Sequence, residues 1–196
     1  MTTKQTILKE ATTLFSQLGY KGTSVRKIAS KVGIRESALY NHFKNKEDIF
    51  LHIAQDIFTT PLQIDKESID NEAKRGKAFL SKFAMQFKLI TFDKKSEMMF
   101  RLLLIELFSN NSIREKFITE FHDKNIKLLS QGFFIMMQED LIRSNDPMLI
   151  AYEFLSTLFY IRFQVTLLRF DAHSTDHIST QIEKHVDFFW ESIKIK

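Results

Sequence analysis

TSVRKIASKVGIRESALYNHFKNK, residues 23–46, is the stretch whose reading decides the fold. Val25, Ile28, Ala29 and Val32 recur at helical spacing and outline a short amphipathic helix, which Thr23 or Ser24 can cap. Gly33 follows, at a turn that calls for left-handed backbone. A second short helix is predicted over residues 35–43. Ala38, Leu39 and Phe43 face inward, while Arg35, Glu36, Ser37, Tyr40, Asn41 and His42 face outward, and nearly all of the outward side chains can hydrogen-bond. A helix this short, with this little apolar face, is unstable alone. Its neighbours must carry it.

The neighbours are legible on both sides. Upstream, Ile7, Leu8, Ala11, Leu14, Phe15 and Leu18 give one helix a single apolar face, with Thr3 as its cap and Gly19 at its end. Downstream, Asn45 caps a helix whose first turn carries Glu47 and Asp48, against the positive end of the helix dipole. Ile49, Phe50, Ile53, Ala54, Ile57 and Phe58 form its stripe, and Pro61 stops it. The segment TTPLQIDKESID then reads as a seam, dividing the chain into domains 1–58 and 59–196. Beyond it, helices are predicted over residues 69–92, 95–108, 112–142, 147–170 and 174–193. Ser112 would cap the third of these, with Gly132 a close-packing point inside it. Asp146-Pro147 starts the fourth, a capping carboxylate followed by proline at the first helical position. With five Gly and two Pro in 196 residues there is little punctuation for a sheet, and no strand pattern stands out. The expected fold is all-α.

Charge locates the partner. Residues 1–58 hold nine Lys/Arg against five Asp/Glu, while residues 59–196 hold nineteen of each. Between residues 21 and 46 there are seven basic side chains and one acidic, Glu36. A basic module on a neutral body implies a polyanion. Other classes fall away. The chain has no Cys, which excludes disulfides and thiolate chemistry. It contains no H-E-x-x-H, G-x-S-x-G or P-loop pattern, so no enzyme, cofactor or metal site is expected. The amphipathic N-terminus is not a signal peptide, and apolar runs such as residues 98–108 are interrupted by Arg101 and Glu106. These features predict a cytoplasmic protein without a membrane partner.

Two helices around a Gly turn make a helix-turn-helix, whose second helix enters the major groove of double-stranded DNA. Arg can pair with guanine, Asn with adenine, Glu with the cytosine amino group and Ser with several bases, while Tyr and Lys hold phosphates. The run Gly33 to Lys46, with its A-L-Y-N-H-F-K-N-K core, resembles the N-terminal domain of the tetracycline-repressor (TetR/AcrR-like) family over about residues 4–55. The resemblance implies a helical homodimer joined through its last two helices, a palindromic operator, and release from DNA by a small molecule. It places Tyr40 and His42 on phosphates, Lys46 at the phosphate-facing start of the following helix, and Thr23 or Ser24 on a phosphate. Arg26 would reach the backbone or an adjacent base, and Lys44 belongs to the same DNA-facing set. Arg35, Glu36, Ser37 and Asn41 fall at the variable, base-facing positions. The family usually has Ser or Thr where Arg35 stands. Losing that cap costs about 1 kcal/mol, and Arg35 either reads a guanine or grips phosphate instead.

The body is read from its residues alone. Residues 147–170 are apolar nearly all round, and residues 174–193 carry a stripe of Ile178, Ile182, Val186 and Phe189 widened by Trp190. With Leu158 and Val165, these residues are the expected dimer interface. Twenty Phe and seven Met suit an adaptable core. A hydrophobic or amphipathic effector would meet Phe83, Met99, Phe100, Phe133, Met136, Phe159 and Phe163, with Arg101 and Arg162 orienting a polar group. The alternative is a DNA-binding protein whose body only dimerises or meets a protein partner.

Overall fold

The structure is a computed structural model that describes residues 1–58 and 68–195, with the side chains of residues 55–58 left out. Pro61 and most of the expected seam lie outside the described residues, as do the side chains of Ile57 and Phe58. The described residues form an all-α protein. Its helices are α1 (Thr3–Gly22), α2 (Val25–Val32), α3 (Glu36–Tyr40), α4 (Lys46–Phe58), α5 (Ser68–Ala73), α6 (Lys77–Phe92), α7 (Lys94–Glu106), α8 (Asn111–Lys116), α9 (Lys124–Gln138), α10 (Pro147–Phe170) and α11 (Gln181–Ile193). A π-helical stretch, Phe117–Asp123, joins α8 to α9. The only non-helical pairing among the described residues is a single antiparallel bridge between Ile142 and Lys194.

Two compact units share the chain: Met1–Thr59 with Met98–Phe117, and Thr60–Glu97 with Ile118–Lys196. In the first, Ile7, Ala11 and Phe15 of α1, Ile28 and Ala29 of α2, Leu39 of α3, and Ile49 and Phe50 of α4 are buried together with Phe43. Phe15, Tyr20 and Phe50 stack edge and face, with ring centroids 5.2–5.6 Å apart. Apolar side chains of α1 and α4 thus supply the core that the five-residue α3 lacks.

The helix ends show local chemistry at work. Thr2, not Thr3, caps α1 in a reciprocal box with Gln5. Gly19 has φ 71 and ψ 172, so the last turn of α1 is broken as the glycine predicted. Ser24 rather than Thr23 caps α2, accepting from the Lys27 N–H at 3.1 Å. Gly33 closes α2 with φ 79 in the left-handed region. Asn45 caps α4 by accepting from the Asp48 N–H at 2.8 Å.

Two predicted helices of the body are subdivided and a third is shortened. The helix expected over residues 69–92 breaks into α5 and α6 at Gly76, whose φ of 56 no helix can hold. Residues 112–142 become α8, the π stretch and α9, and the cap is Asn110 rather than Ser112. Residues 174–180 are turns, so α11 starts at Gln181. Asp146 and Pro147 start α10 where expected, with the Asp146 carboxylate accepting from the Met148 N–H at 2.8 Å. Gly132 of α9 lies against Phe79: a Cβ there would sit 2.8 Å from the ring.

Candidate nucleic-acid interface

The first unit presents one polar face. Arg26 on α2, Arg35, Glu36, Ser37 and Tyr40 along α3, and Asn41, His42 and Lys44 just beyond it are all exposed, while the neighbouring Leu39 and Phe43 are buried. This alternation follows from a helix with one inward row. Leu39 and Phe43 anchor α3 and leave the remaining side chains to solvent. Tyr40 is 51% exposed, so its ring does not serve as core packing. Ser24 is exposed as well, but its hydroxyl is already the α2 cap.

Arg35 stands at the cap position of α3 and makes no side-chain cap hydrogen bond. The missing cap read from the sequence is therefore a structural fact. Glu36 in the first turn complements the positive helix end instead. The Arg35 guanidinium is left at the surface beside the exposed Glu36 and Ser37.

Two residues of the expected DNA set are turned inward. Thr23 is 1% exposed, and its hydroxyl donates to the Gly19 carbonyl at 2.9 Å. Lys46 is half-buried: its Nζ donates to the carbonyls of Tyr20 at 2.8 Å and Thr23 at 2.9 Å, and lies 4.2 Å from the centroid of the Tyr20 ring. Lys27 Nζ adds a third contact, to the Gly22 carbonyl at 2.8 Å. The open carbonyl end of α1 is thus satisfied by two ammonium groups, a favourable placement of cations at a helix C-terminus. Sequence reasoning missed this role for Lys46 because its partners lie 26 and 23 residues away.

Burial lowers the pKa of Lys46, opposed by the Glu106 carboxylate. It raises that of Tyr20 to about 12, with Glu47 and Glu106 adding to the rise. Glu106 belongs to the segment Met98–Phe117 that packs in this unit. It is 5% exposed and accepts from the Ser109 hydroxyl at 3.0 Å. A buried carboxylate from α7 therefore acts electrostatically on the Tyr20–Lys46 pair.

The structure divides the expected effector set between the units. Met99, Phe100 and Arg101 lie in the first, with Met99 and Phe100 buried and Arg101 half-exposed. Phe83, Phe133, Met136 and Arg162 are buried in the second, where Phe159 is half-buried and Phe163 is at the surface. The dimer expectation needs a correction. Leu158, Val165, Ile178, Ile182, Val186 and Phe189 are buried within a single chain, because α11 turns its apolar stripe onto α6 and α10. Trp190 is half-buried, with its ring over Gly76. The face that α10 leaves exposed carries Leu149, Tyr152, Tyr160, Phe163, Leu167 and Phe170, spaced by threes and fours or their sums, and Phe188 is exposed on α11. The signal was present in the sequence: α10 has too many apolar residues for one buried stripe.

Among the described residues no helix is long and apolar enough to cross a membrane. The family model for bacterial regulatory proteins of the tetR family matches residues 7–53. The biofilm operon icaADBC negative transcriptional regulator IcaR of Staphylococcus epidermidis is 27% identical over 143 residues, covering 71% of this chain and 76% of that protein. The transcriptional regulator AcrR of Shigella flexneri is 47% identical over 51 residues, covering 26% of this chain and 24% of that protein. Among solved structures, a SmeT–triclosan complex superposes with a TM-score of 0.75 at 16% identity, covering 99% of this chain and 92% of that one. The flavonoid-responsive regulator FrrA superposes with a TM-score of 0.69 at 24% identity, covering 99% and 98%. These structural likenesses show the fold.

Proposed function

We propose that the chain, whose residues 7–53 match the family model for bacterial regulatory proteins of the tetR family, is a dimeric transcriptional repressor released from a palindromic operator by a small molecule. Residues 1–58 are the DNA-binding domain in this reading, and residues 59–196 the effector-binding and dimerisation domain. The observation that carries it is the exposed row on and around α3. Arg35, Glu36, Ser37 and Asn41 offer base-reading groups between Arg26, Tyr40, His42 and Lys44, all held by a core that keeps only Leu39 and Phe43 for itself.

Duplication follows from the exposed stripe of α10, whose Tyr, Phe and Leu side chains need a partner surface. A second copy meets that need with the same face, and it doubles the recognition helix at a fixed spacing. IcaR is described as a negative regulator, which supports repression. The flavonoid-responsive FrrA and the triclosan complex of SmeT support an aromatic effector taken up by the body. Effector binding to one of two body conformations would then shift the spacing of the two reading heads and release the operator.

Selection of bound duplexes from a random pool tests the core of this reading. It should return a palindrome, with salt-dependent binding to it. Equal affinity for the selected palindrome and its scrambled sequence would refute it.

A further inference from the structure

Resting on the reading of α3 as a DNA-recognition helix, we propose that α1 supplies a further contact to a backbone phosphate through the ammonium of Lys4. Lys4, Ile7 and Ala11 stand at i, i+3 and i+7 and share one face of α1. Ile7 and Ala11 are fully buried, and Lys4 is exposed one turn beyond them. The buried stripe of α1 therefore runs out on a lysine. Thr2 and Gln5 close a reciprocal capping box around it, which fixes the first turn of the helix.

The end of that stripe meets the loop just beyond α3. Lys4 Nζ lies 5.3 Å from the centroid of the Phe43 ring. Phe43 is 2% exposed, yet His42 before it and Lys44 after it are both at the surface. The ring that anchors the exposed polar face thus brings a side chain of α1 to the rim of that face. A lysine suits the place, because its methylene stem lies along an aromatic ring while the ammonium stays in water.

The contact with Phe43 does not use up the charge. At an exposed site a cation over an aromatic ring is held weakly enough to be exchanged for a charge-assisted hydrogen bond. Among the described residues no carboxylate pairs with Lys4. Asp48, beside the same loop, is engaged elsewhere: its carboxylate accepts from the Lys44 N–H at 2.9 Å and meets His52 Nδ1 at 3.1 Å. His52 in turn rests edge-on against Phe43, with ring centroids 5.1 Å apart. Two other ammonium groups of this unit, those of Lys27 and Lys46, are committed to carbonyls at the far end of α1. Lys4 has no such oxygen among the described residues. A phosphate of the duplex that α3 reads supplies one.

The test uses the 196-residue chain and the duplex it selects from a random pool. Affinity is measured over a range of salt for the wild type, Lys4→Gln, Lys4→Met, Lys4→Arg and Lys9→Gln. Lys9 is exposed on the same helix but off the face shared by Lys4, Ile7 and Ala11. Loss of one phosphate contact lowers the slope of log K against log salt by about 0.9 and weakens binding roughly fivefold at about 0.15 M salt. Lys4→Gln and Lys4→Met should both show that loss, while Lys4→Arg and Lys9→Gln should stay close to the wild type. Single methylphosphonates placed along the operator then locate the contact: one neutral position should cost the wild type about fivefold and Lys4→Gln almost nothing. An unchanged slope in Lys4→Gln overturns the proposal. An equal drop in Lys9→Gln also overturns it, because the effect then belongs to net charge. A lower melting temperature in Lys4→Met with an unchanged slope makes Lys4 a packing residue on Phe43 and overturns it as well. Wild-type protein that binds no duplex removes the DNA reading and this contact together. Salt-dependent binding to a palindrome that ignores Lys4 removes only the contact.

Discussion

Replacing Lys46 with Met separates a structural lysine from a phosphate-binding one. The ammonium donates to two carbonyls at the end of α1, 2.8 and 2.9 Å away, and lies on the Tyr20 ring. A hydrogen bond from a charged donor contributes about 1.5–3 kcal/mol. Here the group is half-exposed, and water can replace part of what is lost, so the two bonds together are expected to contribute about 2 kcal/mol. For a chain of this size each kcal/mol corresponds to roughly 2–4 °C in melting temperature. Lys46→Met should therefore melt roughly 4–8 °C lower in calorimetry, and Lys46→Arg should recover part of the loss. The second readout is the salt dependence of operator binding. A lysine that neutralises one phosphate contributes about one unit to the slope of log K against log salt. With its Nζ held by Tyr20 and Thr23, Lys46 should contribute almost nothing. An unchanged melting temperature together with a slope reduced by about one would refute the argument and return Lys46 to the DNA.

Other substitutions probe other parts of the structure. Arg35→Ser should install the missing cap on α3 and raise stability by about 1 kcal/mol, measured by urea denaturation. In the same variant, preference at one operator base pair should relax if Arg35 reads guanine, whereas Tyr40→Phe should weaken all sequences alike in competition assays. Gly132→Ala gains about 1 kcal/mol in helix propensity, but its methyl would stand 2.8 and 2.9 Å from Phe79 carbons in a buried layer. Overpacking of this kind costs about 1–3 kcal/mol, so the variant should be less stable, and a higher melting temperature would refute the contact. Phe163→Glu with Leu167→Glu should leave a folded monomer in analytical ultracentrifugation, because both side chains lie on the exposed stripe of α10. Val165→Glu should instead unfold the chain, since Val165 is fully buried within it.

Most of the exposed polar face was legible because its signals are local. Ser24, Gly33 and Asn45 act on atoms within a few residues, and the inward row of Leu39 and Phe43 follows from helical spacing alone. The inward turn of Thr23 and Lys46 was not legible from spacing, because it depends on where the end of α1 lies in space. In the body, periodicity found the helices but not their interruptions. Gly76 lies inside the predicted helix 69–92, and its positive φ is set by the chain's path rather than by periodicity, while the π stretch has no sequence pattern of its own. The burial of the stripe expected at the surface has a similar origin. Hydrophobicity says that two faces of α10 are apolar, but not which one the chain itself covers.

The clamp on the end of α1 also bears on how the reading head opens. The backbone from Thr23 to Lys46 is closed into a loop at its base by ammonium-to-carbonyl contacts, and α3 inside it has five residues and no cap of its own. Neither short helix has a reason to survive once that base comes apart. The amide protons of α2 and α3 should accordingly exchange with solvent as one cooperative unit, at the rate of the opening that frees Lys46, rather than fraying one helix at a time.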